Sequence, residues 1–323
     1  MNVRDKWDST PLYYACLCGH APIVGYLLEN GARCDASTFD GERCIYGALT
    51  DQIKKMLVNF NVITSRVKRR EPFHEFLRRL LEEGEHSDIT FAVNGTNIKA
   101  HRFILAARSS YFEEQLLGGR WQNKSIVTIS NSLVDSSVFY RMIEWLYTGQ
   151  VKMEVSQFED ALRLCKQCRL GEFEEEIQAA FTKADSFVSS KRGAKIRHIQ
   201  IESVRSQNAL HEDLSILAML TLPYEFQFQW HYWMELPMRP KPPGCDQYAD
   251  VVFKVDSIPF YCHKAMFCTR SDYFRALISD HFHEGSWDPM LEMPVIEIHN
   301  VRPSVFALVV NHVYSNKQKV FLD

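Results

Sequence analysis

"KAHRFILAARSSYF" (residues 99–112) returns as "YCHKAMFCTRSDYF" (residues 261–274), at an ungapped offset of 162 residues. A histidine, serines and an arginine invite a chemical reading, so the recurrence needs an explanation first. Over 86–116 against 248–278, eight of 31 positions are identical: Asp88/Asp250, Phe91/Phe253, Val93/Val255, His101/His263, Arg108/Arg270, Ser109/Ser271, Tyr111/Tyr273 and Phe112/Phe274. Spread in order along both stretches, they point to a duplicated fold. Before the first histidine, Ile89, Phe91 and Val93 alternate with Thr90 and Ala92, the period of a strand. Asn94-Gly95 is a strong hairpin signal. An apolar helix through Phe103, Ile104 and Leu105 follows His101. Ser110 with Glu113 three residues on predicts a capping box, opening a helix through Tyr111, Phe112 and Leu116.

The second copy keeps this grammar. Asp250, Val251, Phe253 and Val255 read as the strand and Asp256-Ser257 as the turn. His263 and Phe267 enter the helix, and Asp272 replaces Ser110 as the cap. Both copies run on to a short strand, "IVTI" (126–129) and "VIEI" (295–298). Both then carry an amphipathic helix, with Phe139 and Tyr147 matching Phe306 and Tyr314.

Composition narrows the classes. A chain of 323 residues suggests two or three domains, and 46% hydrophobic residues suffice for their cores. A net charge of −3, from 37 basic and 40 acidic residues, gives no nucleic-acid or membrane footprint. "MNVRDKWDST" is charged and polar, unlike a secretory leader. Runs such as "FALVV" are too short to span a bilayer. Nine cysteines, an odd number, read as reduced thiols in the cytoplasm or nucleus. Cys165 and Cys168 have metal-ligand spacing, but no second pair completes a zinc set, so a core role is preferred. No metal and no cofactor are expected.

The order strand, hairpin, "AHRFILAARSSYF", strand, "SSVFYRMIEWLYTG" resembles the BTB/POZ domain, and it occurs twice. The N-terminal segment resembles ankyrin repeats. In "DSTPLYYACLCGH" (8–20) and "PIVGYLLENGA" (22–32), Thr10-Pro11-Leu12 makes the tight turn and Ile23, Val24, Leu27 and Leu28 give the second helix its buried face. Gly31 stops that helix. A weaker copy starts 33 residues later, where Arg43-Cys44 stand for the Thr-Pro pair. Stacked repeats need about three units for a continuous core. Either this segment leans on the rest of the protein, or the chain lacks its natural beginning. "YSNKQKVFLD" ends before the tail helices that 156–187 supply to the first copy, so a shortened end is expected as well.

The chain thus resembles the family with N-terminal ankyrin repeats and two BTB domains. The expected fold class is α+β: ankyrin repeats over 1–60, a basic linker over 61–72, a first BTB/POZ domain over 73–187, an inter-domain linker over 188–245 and a truncated second BTB/POZ domain over 246–323. In the linker, "KIRHIQIE" alternates like a strand and "EDLSILAML" looks helical. Phe226, Phe228, Trp230 and Tyr232 recur at period two.

Asp88 with His101, and Asp250 with His263, are spaced like an acid–base dyad. No nucleophile, phosphate loop or metal set accompanies them. A structural role is preferred for Asp88, His101, Phe112, Asp250, His263 and Phe274, and no catalysis is expected.

The resemblance implies an assembly module. Membrane-channel and zinc-finger contexts lack their sequence partners here. What remains is an adaptor of a cullin-RING ubiquitin ligase, bridging a cullin scaffold protein and an unknown protein substrate held by the ankyrin surface. The alternative is a scaffold in signalling or transcriptional complexes. In such adaptors the loop after the "YF" helix carries a hydrophobic-x-Glu motif. Phe282-His283-Glu284 fits, making Phe282 and Glu284 the cullin-binding candidates; Trp121-Gln122-Asn123 lacks the glutamate. Family members also dimerise through a helix before the first strand. Phe73, Phe76, Leu77, Leu80 and Leu81 match that position, although the same face could cover its own domain. "MELPMRPKPPGCDQYAD" is Pro-rich, so the second copy is expected to lack such a helix. The expectation is intramolecular pairing of the BTB domains, with homotypic pairing between chains as the alternative.

Overall fold

Helix stops and left-handed turns cut this chain into short elements. The computed structural model describes residues 2–35, 38–64, 72–191, 196–223, 226–227, 248–279, 285–290 and 292–316. Its elements are α1 (Pro11–Leu17), α2 (Ala21–Glu29), α3 (Phe39–Gly47), α4 (Asp51–Thr64), α5 (Pro72–Glu83), β1 (Ile89–Val93), β2 (Thr96–Ala100), α6 (Arg102–Arg108), α7 (Ser110–Leu117), β3 (Ile126–Ile129), α8 (Ser136–Thr148), β4 (Gln150–Glu154), α9 (Phe158–Gln167), α10 (Gly171–Ser190), β5 (His198–Glu202), α11 (Val204–Thr221), β6 (Val251–Val255), β7 (Ile258–Cys262), α12 (Lys264–Arg270), α13 (Asp272–Ile278), β8 (Gly285–Asp288), β9 (Met293–Ile298) and α14 (Pro303–Ser315). The fold class is α+β. The chain divides into two compact units: Met1–Glu71 with Gln150–Lys166 and Gly171–Glu202, and Pro72–Gly149 with Gln167–Leu170 and Ser203–Asp323.

In the first unit, Thr10 caps α1 by accepting the Tyr13 N–H at 3.2 Å, and Pro11 presets the helical φ. Leu12, Cys16, Val24, Leu28, Cys44, Ile53 and Leu57 make one core. A hydrogen bond to Cys44, reinforced by burial, keeps the Cys16 thiol protonated. The repeat offset of 33 places the next helix start at Arg43-Cys44; it lies earlier. Thr38 is the cap, taking the Gly41 N–H at 3.2 Å. Gly41 must be glycine, since a Cβ would sit 2.0 Å from the Asp35 carbonyl oxygen. Arg43 instead ties the repeats together, donating to Asp8 O and Ser9 Oγ at 2.9 Å each and covering the Tyr13 ring. The repeats do lean on later chain. Phe187 of α10 meets Phe39 and Tyr46 edge-on at 5.6 and 5.8 Å. Lys183 pairs with Asp8, and Arg33 with Glu202 of β5. Exposed ion pairs add little, so the ring packing carries most of this contact.

The second unit holds both copies. In the first sheet (order β2-β1-β3), Ile89 faces Ala100 antiparallel and Thr90 faces Ile126 parallel. In the second (order β7-β6-β9-β8), Val251 faces Cys262 antiparallel and Val252 faces Val295 parallel. The parallel step needs a crossover, supplied by α6–α7 and α12–α13. Asn94-Gly95 turns with φ of 45° and 89°, and Asp256-Ser257 with 47° and 68°. Phe91, Phe112, Phe139 and Trp121 fill the first core; Phe253, Phe267, Phe274 and Phe306 fill the second.

Two expectations are corrected. The caps of α7 and α13 are Ser109 and Ser271, which accept the Phe112 and Phe274 N–H groups at 3.4 Å, not Ser110 and Asp272. Ser110 and Asp272 already lie inside the first turn, where a side chain cannot reach that N–H. The second copy also has a leading helix. It is α11, upstream of the Pro-rich stretch that argues for its absence, and it packs on α14 as α5 packs on α8.

Candidate interaction site

The repeated histidines sit where β2 and β7 hand over to a helix. His101 is 1% exposed. Its Nε2 lies 2.9 Å from the Glu85 carbonyl, which can only accept, so Nε2 carries the proton. Nδ1 therefore accepts the Tyr147 hydroxyl hydrogen at 2.8 Å, while Tyr147 Oη accepts the His101 backbone N–H at 2.7 Å. Burial pushes the His101 ring down to about 4, so it is neutral near neutral pH. Asp88 does not orient the ring: its Oδ1 takes the Arg102 N–H at 2.8 Å and so caps α6. The same wiring recurs. Tyr314 holds His263 Nδ1 at 2.7 Å and its backbone N–H at 3.0 Å, and Asp250 takes the Lys264 N–H at 2.6 Å. Burial pushes His263 down to about 3 and Asp250 up to about 6. These are strand-to-helix joints, with no nucleophile in the network. Phe112 and Phe274 anchor the two ring clusters beside them.

The helices around these joints make a reciprocal contact. Phe73, Leu77, Leu80 and Leu81 of α5 are buried; Phe76 is half-buried. Besides α8, α5 touches α12 of the other copy; besides α14, α11 touches α6 of the first. Each leading helix thus packs on its own copy's last helix and on the partner copy's histidine helix, as in a two-fold pair. Two matched arginines close it. Arg270 donates to His312 O at 2.7 Å and Val313 O at 3.0 Å in its own copy. Its guanidinium then covers Phe76 and Phe73 at 5.2 and 5.4 Å. Arg108 donates to Leu146 O at 3.0 Å in its own copy and pairs with Asp213 of α11. Phe103 stacks on His263 at 4.1 Å, Phe73 on His211 at 5.2 Å, and Glu85 meets Arg275 at 3.4 Å.

Sequence reasoning singled out the α5 face and expected it to join the two copies, but not which residues of the second copy meet it. Arg108 and Arg270 stood among the identical pairs, and that identity was the available signal. His211 and Asp213 carried none. Phe282 and Glu284 lie outside the described residues, as do Phe228, Trp230 and Tyr232. Cys165 and Cys168 are both buried, and no group of three metal-ligating side chains occurs among the described residues. No described helix is long and apolar enough to cross a membrane.

Two like modules joined back to back through helices, with a repeat stack elsewhere in the chain, define a class built to bind proteins. The comparisons name its family. The BTB/POZ domain matches residues 77–184 and 242–322, and ankyrin repeats match 1–43. The chain belongs to the BTB/POZ domain family, whose modules, like ankyrin repeats, mediate protein interactions. It is 30% identical to BTB/POZ domain-containing protein 3 of Schizosaccharomyces pombe, over 99% of this chain and 56% of that protein. It is 27% identical to an ankyrin repeat-containing protein of Saccharomyces cerevisiae, over 99% of this chain and 63% of that protein. The chain therefore spans about three-fifths of the length of these relatives. Among solved structures, the BTB domain of zebrafish PATZ1 matches at 19% identity with a TM-score of 0.29, covering 34% of this chain and 88% of that one.

Proposed function

We propose that this chain is a protein-interaction adaptor of a cullin-RING ubiquitin ligase, working in the cytoplasm. Its BTB copies pair within the chain. The ankyrin segment holds the substrate, and the second copy meets the cullin through Phe282 and Glu284. The observation that carries the reading is the matched burial of α5 and α11, each against the other copy's histidine helix. A pair completed inside one chain needs no second chain for assembly and leaves other surfaces for partners. The motif Phe282-His283-Glu284 supports the cullin assignment by its place after the "YF" helix.

The test is co-purification of a cullin with the full-length chain and with the Phe282→Ala, Glu284→Ala double variant. The reading predicts that the variant loses the cullin while keeping its thermal unfolding midpoint. Unchanged recovery removes the ligase role and leaves a scaffold of signalling or transcriptional complexes.

A further inference from the structure

The two sheets differ at one edge. In the second copy, β8 lies antiparallel on the outer edge of β9: Gly285 faces Ile296, Ser286 faces Val295, Trp287 faces Pro294 and Asp288 faces Met293. In the first copy the equivalent strand β3 ends its sheet. The connection into β3 covers 118–125, that into β9 covers 279–292, so the first is six residues shorter. It is also folded tight. The buried Arg102 guanidinium donates to the carbonyl oxygens of Trp121, Gln122 and Lys124 at 3.4, 3.2 and 2.5 Å. Trp121 is thereby held in the Phe91–Phe112 cluster. Lys264 stands at the matching place in the second copy, where a compact ammonium lacks the planar, spread fork of a guanidinium.

The β3 edge has the properties of a strand acceptor. Thr90 and Asn94 donate to Ser125 O and Ile129 O at 2.8 and 3.1 Å, so those residues face β1. By alternation, the backbone groups of Ile126 and Thr128 face outward, and among the described residues nothing pairs with them. "SIVTIS" (125–130) has no charge, proline or bulge to blunt it, and Ile126 is 61% exposed.

We propose that the outer edge of β3 binds an extended segment of a partner protein as an added antiparallel strand. The registers of the two copies specify that segment. Thr90 faces Ile126 as Val252 faces Val295, so Ile126 corresponds to Val295. The residue after the one facing Ile126 then meets Ser125, and the next meets Lys124, both exposed. Asp288 occupies that third place in β8, so a carboxylate there would face the Lys124 ammonium. The occupant is an uncharged, extended segment ending in an acidic residue. A second copy of this chain is disfavoured: two whole chains meeting over a four-residue edge fall far short of the roughly 800 Å² per partner of a stable interface, whereas a single extended segment draws its affinity from the main-chain hydrogen bonds of an added strand and its specificity from side chains. This inference stands apart from the cullin reading.

The probe is the synthetic peptide Gly-Ser-Trp-Asp-Pro-Met, which copies 285–290, added to the full chain. Amide hydrogen exchange at Ile126 and Thr128 should slow about tenfold at saturation, the scale of one new hydrogen bond. Ile126→Pro removes one outward donor at the first strand position, where proline is tolerated, and should abolish the slowing with an unchanged unfolding midpoint. Should that variant fail to fold, Lys124→Glu should weaken peptide binding about fivefold by charge reversal. No slowing in the wild-type chain, or equal slowing in the variants, overturns the proposal. Slowing that rises with protein concentration without peptide overturns it in favour of a second copy.

Discussion

The two BTB copies keep the same joint and differ in what surrounds it. Each has a capping aspartate, a buried histidine on a tyrosine hydroxyl, and an arginine that ties the last helix to the partner copy's leading helix. Around that frame, His101 has both ring nitrogens engaged, while His263 Nε2 has no partner among the described residues. Its ring lies flat against Phe103 instead. The leading helices differ too. α5 is amphipathic, with Arg78 bridging Glu75 and Glu82 on its outer face, whereas α11 is buried on all sides from Leu214 to Thr221. The difference teaches that the identical positions build the joint and its tie to the partner copy, while the positions that differ set what surrounds each joint.

The largest expected effect concerns the buried rings. Both histidines titrate lower in the fold than their ordinary 6.5, so the unfolded chain binds more protons below that value, and stability falls as pH drops. His101 loses its contribution between pH 6.5 and about 4, for about 3 kcal/mol. Asp250, raised to about 6, acts in the opposite sense, since the folded chain takes that proton first. Urea unfolding between pH 7 and 4 should therefore show a net loss, and His101→Gln should flatten it. At pH 7 the same variant should cost about 2 kcal/mol for its two hydrogen bonds, and His263→Gln, with one, about half that. An identical cost for the two would erase the difference drawn between the joints.

A smaller effect separates the caps. Ser109→Ala and Ser271→Ala should each cost about 1 kcal/mol, because each leaves a helix N–H unsatisfied. Asp272→Ala should cost only a few tenths, from its charge near the N-terminus. Thermal melts of the three variants decide this, and a larger loss for Asp272→Ala would restore it as the cap.

Much of the fold is legible in the sequence because its signals are local. Asn94-Gly95 and Asp256-Ser257 announce their turns, and the apolar stripe of α5 announces a buried face. What escapes is set by distant packing. The second half of α11 is buried all round, so it has no stripe to read as a leading helix. Ser109 and Ser110 are adjacent and chemically equal, and only the backbone decides which one caps. The start of α3 follows Thr38 and the close approach at Gly41, neither of which the repeat offset reveals. In the candidate site, Phe73 and Phe76 are visible as one face, but Arg270 reaches them from the other copy, and no local pattern predicts that.

Pairing within one chain is tested most directly by a double-mutant cycle between Phe73 and Arg270, read by urea unfolding over a wide range of protein concentration. Reciprocal packing inside the chain predicts a coupling of about 1 kcal/mol or more that does not change with concentration. Additive losses, or a coupling that fades on dilution, would contradict it.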